Sequence, residues 1–490
     1  MSTARLPADD QPSKALLRQF SAFLSRRMGL HFPRPRWPDM LHRLERAAQE
    51  FTQSGAQSCM RWLLTAPLGQ REIEILASHL TVGETYFYRE PAVFAALEQH
   101  ILPPLIAARR ATSRTLRLWS AGCCTGEEAY TLAILLHRLI PDLEQWHITL
   151  LATDINPHFL ATARSGNYRE WSFRNAPAGF KAGYFTPTID GRYQLRPEIR
   201  RLVRFAYLNL VDDVYPALEN DINGMDLVLC RNVLMYFDEA GMRAVLSKQR
   251  RTLTSDGWLV LSTTESSPLL AGFSAVVFPD ATLYHKDEGQ PPAPVVPGTQ
   301  RPPGGAGATV MAPTRDRPLG ATAATAPPLA DAKYRQALEH YAGGDYPAAI
   351  AALTGAAPGD PRCLALAARA WANLGQLAEA RRWGEAAVAA DKCDPALRYL
   401  LASLLSEQGC GEAAAIALKQ ALYLDQDFVL AHFALGNLYR RLDQPAQAAR
   451  HFANARQLLA ACPPGAILPA AEGLTAARLL KIIDGEGGST

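Results

Sequence analysis

The sequence predicts an α/β protein in three parts: an N-terminal helical domain, a Rossmann-like domain with a small inserted antiparallel β-subdomain, and a C-terminal all-α solenoid. Three observations carry this expectation. Strand-like and helix-like segments alternate from about residue 115. A glycine-containing turn, Gly122 to Gly126, follows the first of these strands. Small residues recur at a 34-residue period after residue 330. The chain has 490 residues, of which 48% are hydrophobic, and that length suggests about three domains. Its formal charge of +3 carries no nucleic-acid signature for the whole chain.

Residues 12–80 read as the helical domain. Leu16, Phe20, Phe23 and Leu24 recur near helical spacing, as do Met40, Leu41, Leu44 and Ala47. Arg18, Arg26, Arg27, Arg34, Arg36, Arg43 and Arg46 stud it. They form either a solvated helix face or an electrostatic dock for an acidic partner. Residues 81–286 form the α/β domain. Leu116–Trp119, Ile148–Thr153, Leu227–Cys230 and Trp258–Ser262 read as strands, and their alternation with helices predicts a parallel sheet covered on both faces. Between about 180 and 208 the texture changes to a hairpin turning at Asp190-Gly191, the β-subdomain. Residues 287–329 are rich in Pro, Gly and Ala and read as a disordered linker. In residues 330–460, Asp360-Pro361 recurs as Asp394-Pro395, and Ala380, Ala414 and Ala448 share the 34-residue spacing, as do Ala387, Ala421 and Ala455. This order resembles the tetratricopeptide repeat, with three clear units and a degenerate one around Tyr334 to Ala357. Such an array is an interaction surface. Joined by this linker, it is expected to move independently of the α/β domain, to recruit an unidentified protein partner and to take no part in chemistry.

Eight cysteines are scattered with no Cys-x-x-Cys pair and no zinc-finger spacing, so reduced thiols and no metal site are expected. No apolar run is long enough to cross a bilayer, and the start lacks the apolar core of a signal peptide. The expectation is a cytoplasmic protein without membrane insertion.

The densest chemical signal is Leu118-Trp-Ser-Ala-Gly-Cys-Cys-Thr-Gly-Glu-Glu-Ala-Tyr130, a strand, a tight turn and a helix start. Backbone N–H groups at such a turn can approach a ligand closely. The next strand ends in Asp154. A carboxylate there can accept hydrogen bonds from ribose hydroxyls, or it can cap a helix beginning at Asn156-Pro157. The glycine pattern is not Gly-x-Gly-x-x-Gly, so a dinucleotide fits poorly. A nucleoside without a pyrophosphate fits better, and S-adenosylmethionine is the commonest of these. Thr81-Val-Gly-Glu-Thr-Tyr-Phe-Tyr-Arg-Glu90 and Cys230-Arg-Asn-Val-Leu-Met-Tyr-Phe-Asp238 add arginine and tyrosine at strand mouths.

These stretches, with Ala152-Thr-Asp-Ile155 and Asn209-Leu210, resemble the chemotaxis receptor methyltransferases of the CheR family over residues 12–286. With repeats behind them, the chain looks most like the WspC branch. The resemblance implies a protein-glutamate O-methyltransferase dependent on S-adenosylmethionine, acting on the cytoplasmic domain of a chemoreceptor. It implies a cofactor pocket lined by Thr85, Arg89, Glu128, Asp154, Asn209, Leu210, Arg231 and Asn232. Asp154 would take the ribose hydroxyls, Leu210 would lie beside the adenine, and Arg89 would hold the methionine carboxylate. Arg231 and Tyr236 would face the substrate glutamate as the catalytic pair, Arg231 orienting one oxygen and leaving the other free. Gly83 departs from the pattern, standing where some members carry asparagine. A carboxylate acceptor titrates near pH ~4.3 and needs no general base, in keeping with the lack of an evident Ser/His/Asp or Cys/His set. His158 reads as surface helix. Two other readings compete: a cofactor-binding scaffold acting through its repeats, and a methyltransferase for RNA or a small molecule.

Overall fold

The structure is a computed structural model that describes residues 12–66, 68–218, 220–265, 270–286, 329–354, 359–470 and 474–486. The expected linker lies outside the described residues except for Leu329, which opens a helix.

The N-terminal part is built from α1 (Lys14–Met28), α2 (Trp37–Glu50), α3 (Ala56–Thr65) and α4 (Gln70–Leu80). Ser13 caps α1 by accepting from the Leu16 N–H, and Gly29 ends it in the left-handed region. Phe20, Leu24, Met40, Leu44, Met60 and Leu76 are fully buried between these helices, each worth about 1.5–3 kcal/mol of burial. α5 (Pro91–Ala96) and α6 (Leu102–Arg110), joined by a π-helical turn, lead to the sheet.

The sheet is entered through β1 (Thr115–Ala121), α7 (Glu127–Leu139), β2 (His147–Asp154) and α8 (Pro157–Ser165). The inserted subdomain follows as β3 (Asn167–Tyr168), α9 (Phe180–Tyr184), β4 (Phe185–Pro187), β5 (Tyr193–Leu195) and α10 (Pro197–Arg200). The chain returns through β6 (Val203–Tyr207), β7 (Met225–Leu229), α11 (Glu239–Thr252), β8 (Leu253–Val260), β9 (Phe273–Phe278) and β10 (Ala281–Lys286). The strand order is β6-β2-β1-β7-β8-β10-β9. Pairing is parallel from β6 through β8 and antiparallel for β10 against β8 and β9. The sheet is therefore mixed, where alternation alone predicts parallel strands throughout. β1 is buried along its whole length, as a central strand covered on both faces must be.

The subdomain forms a separate three-stranded sheet, β3-β5-β4. It is anchored by Phe87, whose ring packs against those of Tyr168, Phe173 and Phe185. The insertion runs over different residues from those expected. It begins at β3, and β6 belongs to the main sheet, pairing with β2 from Leu150↔Val203 to Asp154↔Tyr207. The texture of 180–208 is uniform, so nothing local marks where the chain rejoins the parent sheet.

The C-terminal part stacks helix pairs: α12 (Leu329–Gly343) with α13 (Tyr346–Leu353), α14 (Pro361–Asn373) with α15 (Leu377–Ala390), α16 (Pro395–Glu407) with α17 (Gly411–Leu424), and α18 (Val429–Arg441) with α19 (Pro445–Ala460). Asp360 and Asp394 cap α14 and α16 through their side chains. Ala380, Ala387, Ala414, Ala421 and Ala455 are fully buried where helices meet. A ninth helix, α20 (Ala476–Glu486), extends the array beyond residue 460, burying Ala476, Leu479 and Ile483 in the same cluster as Leu459.

The array is seated on the α/β domain, which differs from the expected independence. Leu218 joins the apolar cluster of Ala368, Leu397, Leu400 and Leu404. Arg117 of β1 and Glu407 of α16 form an ion pair with both side chains about 95% shielded (4% and 5% exposed). His147, the first residue of β2, lies against Gly409. These contacts cluster at the amino-terminal ends of the central strands, opposite the strand ends where open sheets bind ligands. Linker composition cannot report such a contact, because its determinants lie on the two folded surfaces.

Candidate active site

Strand order reverses about β1, with β2 on one side and β7 on the other, so a crevice opens at their carboxyl ends. The turn after β1 is drawn over the end of β2, since the N–H groups of Gly122 and Cys123 both donate to the Thr153 carbonyl at 2.8 and 2.9 Å. Gly122 has φ +85°, and a side chain there would strike Val233, which brings the turn and the segment after β7 into close approach. Asp154 ends β2. Its Oδ2 accepts from the Cys124 N–H at 2.9 Å and its Oδ1 from the Asn156 N–H at 2.8 Å. Asn156 itself caps α8, so the cap and the strand-end carboxylate are different residues. Burial pushes the Asp154 carboxyl up to about 6 against the pull of its backbone donors.

These parts surround a cavity of about 1060 Å³, mouth included. Thr85, Arg89, Glu128, Asp154, Asn209, Leu210, Arg231, Asn232 and Tyr236 all line it. Met28, Leu30, Phe159 and Phe237 supply apolar wall, two of them from the N-terminal helical region. The lining suits a nucleoside sulfonium: a buried carboxylate at the β2 end for a ribose, apolar surface around Leu210 for a base, and Arg89 for a carboxylate. His158 is exposed and outside the cavity.

Two of the three guanidinium nitrogens of Arg231 are bonded to neighbours. One nitrogen donates to Glu128 Oε2 at 3.0 Å; another donates to the Arg89 carbonyl and lies 3.4 Å from Glu90. Ser120 Oγ donates to the other Glu128 oxygen at 2.7 Å. Arg231 thus ties α7 and the Arg89-Glu90 corner to the end of β7, while its buried Nε–H has no partner among the described residues and keeps one donor for the expected substrate oxygen. Tyr236 ends a 3-10 turn, Leu234–Tyr236, and burial raises its phenol pKa, so it is a hydroxyl donor at neutral pH.

Sequence reasoning missed Glu265. This carboxylate, 3% exposed, accepts from the N–H groups of Asn232 at 2.8 Å and Met235 at 3.2 Å, and from the N–H and Oγ of Ser262. It clasps the 231–236 segment, including Asn232 at φ +59°, to the end of β8. An acidic residue just past a strand end was its only local signal. The Gly83 departure also has a physical cause: a Cβ there would lie 2.7 Å from the Phe159 ring, so this cavity wall is filled from α8 instead.

A sheet of this order closed by an antiparallel hairpin, with a cofactor turn that has no pyrophosphate-type glycines and a carboxylate at the end of the second strand, places the α/β domain among the S-adenosylmethionine-dependent methyltransferases. Residues 83–274 match the family model described as CheR methyltransferase, SAM binding domain. Chemotaxis protein methyltransferase 2 of Vibrio cholerae is 33% identical over 216 residues, 44% of this chain and 73% of that protein. The probable biofilm formation methyltransferase WspC of Pseudomonas aeruginosa is 34% identical over 40% of this chain and 45% of its own length. An uncharacterised 104.1 kDa protein of Rhodobacter capsulatus is 37% identical over 40% of this chain, which spans only 20% of that protein. Among solved structures, MamA from Desulfovibrio magneticus covers 26% of this chain and 75% of its own at 24% identity and a TM-score of 0.25, a likeness too slight to argue from. The chain belongs to the CheR methyltransferases, and its cofactor is S-adenosylmethionine.

Proposed function

We propose that this chain methylates glutamate side chains in the cytoplasmic domain of a chemoreceptor-type protein, giving methyl esters that tune a chemotaxis-like or surface-sensing pathway. The observation that carries this is the protonation chemistry of the cavity wall. Among its described lining residues there is no histidine and no lysine. Asp154 is held by backbone donors, Glu128 by Ser120 and Arg231, and Glu84 by Arg174. Burial keeps the Cys123 and Cys124 thiols protonated. Every carboxylate in the wall is already engaged by a neighbour, which favours an acceptor that arrives deprotonated. A glutamate with a pKa of ~4.3 does so at neutral pH; a lysine amine at ~10.4 does not.

Bound in this cavity, S-adenosylmethionine supplies an electrophilic methyl group on a sulfonium. Asp154 and Leu210 would hold the nucleoside end, Arg89 the amino-acid end, and Tyr236 would hydrogen-bond the incoming carboxylate. Arg231 and Glu128, bonded at 3.0 Å, form part of the wall. Alignment of this kind can lower a barrier by roughly 7–11 kcal/mol. A cytoplasmic acceptor places the chain in the cytoplasm; no described helix is long and apolar enough to cross a membrane. The repeat array would engage a protein partner.

The test is incubation with methyl-labelled cofactor and receptor cytoplasmic fragments. Label that appears on protein and is released by mild base supports carboxyl esters. Label that resists base, or that appears only on RNA or small molecules, overturns the reading.

A further inference from the structure

One segment of the α/β domain joins the cofactor cavity to the repeat array. It starts at Asn209 and Leu210, both in the cavity wall. The Asn209 side-chain amide donates to the Arg27 carbonyl at 2.8 Å and to Asp212 Oδ1 at 3.3 Å. The Asp212 N–H closes a turn onto the Asn209 carbonyl at 3.0 Å. The other Asp212 oxygen, Oδ2, accepts from Arg478 of α20 at 3.2 Å. Asp212 therefore uses one oxygen on a cavity residue and the other on the array.

The rest of the segment is held at both ends. Lys248 Nζ donates to the carbonyls of Leu210, Val211 and Asp212. The tip, Leu218, is 7% exposed and packed among side chains of α14 and α16. Asp221 is held by Arg204 of β6 at 2.6 Å and by Arg441 of α18 at 3.4 Å. With the array lifted, Asp212 would lose Arg478, Leu218 would face water, and the segment would gain conformers that do not present Asn209 to the cavity. Cofactor binding would then have to restore that order.

We propose that the repeat array is a positioning element for the cofactor cavity, acting through Arg478, Asp212 and Asn209 and through the Leu218 anchor, so that array docking and cofactor binding strengthen one another. By reciprocity, bound cofactor must tighten the docking as much as docking tightens the cofactor. The proposal rests on the cofactor assignment and is independent of the acceptor.

The test uses the full chain and S-adenosylmethionine as the calorimetric probe. Arg478→Gln and Leu218→Asp should each weaken binding at least about fivefold, the lower edge of typical coupling. Arg478→Lys should restore most of it. Arg382→Gln, which removes the exposed Arg382–Glu379 pair within α15, should change nothing. Wild-type affinity in folded Arg478→Gln and Leu218→Asp chains would overturn the proposal. Hydrogen exchange of the unmodified chain guards against variants that do not fold: cofactor should slow exchange in 211–222 and in α20. Protection confined to the cavity turn would overturn the coupling, whereas failure of the unmodified chain to bind would instead indict the cofactor assignment.

Discussion

Asp154 carries opposing demands. Its carboxyl, pushed to about 6 in the folded chain, has an ordinary value near 3.8, so folding favours the protonated form. The stabilisation from that protonation is fully present below pH ~4 and is lost as pH rises through about 6, on the order of 3 kcal/mol for a shift of this size. At neutral pH the fold thus holds an ionised carboxylate at a cost that ribose hydroxyls can offset. We expect cofactor affinity to fall as pH drops through about 6 and the dependence to flatten in Asp154→Asn, with calorimetry between pH ~5 and ~8 as the check. An affinity profile that is level in the unmodified chain would remove Asp154 from the ribose contact. This residue was legible in the sequence because strand periodicity puts it at a carboxyl edge. Arg231 was legible as a cavity residue but its tie to Glu128 was not, since the two lie 103 positions apart and only the fold brings them together. Glu265 was invisible for the same reason. Glu265→Gln leaves one buried N–H facing an amide instead of a carboxylate oxygen, a loss of roughly 1–3 kcal/mol. Its expected signature is slower methyl transfer with a small drop in melting temperature; unchanged turnover would show that the clasp is not needed for the reaction.

At the scale of elements, the connection from α4 into the sheet meets α8 where Gly83 faces Phe159. Gly83→Asn should lower stability by about 1–3 kcal/mol through overpacking, and Phe159→Leu in the same chain should relieve much of it. A double-mutant cycle in chemical denaturant measures this, and additive effects would mean the two side chains do not compete for the space. The long helices and central strands were legible because their apolar periods are sustained: α7, β1, β2 and the repeat helices fall where spacing puts them. The elements that escaped are short or depend on partners. β6 has five residues and owes its strand identity to pairing with β2. β9 and β10 form an edge hairpin in which the apolar Val277 is exposed, so apolar spacing does not mark its buried face. α20 lies beyond the 34-residue repeat and shares none of its signature positions.

In the whole molecule, chemistry and repeats occupy opposite ends of one sheet and are joined along its β6 edge. The docked array makes the C-terminal half part of the folded unit. Glu407→Ala strips the carboxylate from the buried Arg117, whose pKa burial already pulls down to about 10. Breaking a buried pair from one side costs about 3–5 kcal/mol, so we expect a clear fall in melting temperature; melting at the wild-type temperature would mean that water reaches Arg117 in solution. None of this interface was legible, because Arg117 in a central strand and Glu407 in a repeat helix are each ordinary in their own local pattern. That pair also constrains descent. An arginine near the start of a covered strand is costly to keep without acidic partners, and Glu407 is the one the array adds to Asp221 and Asp226 of the α/β domain. Across relatives, a basic residue at the position of Arg117 should be inherited together with the repeats and with an acid at the position of Glu407. Lineages that shed the array lose one of its acids and should carry that arginine less often.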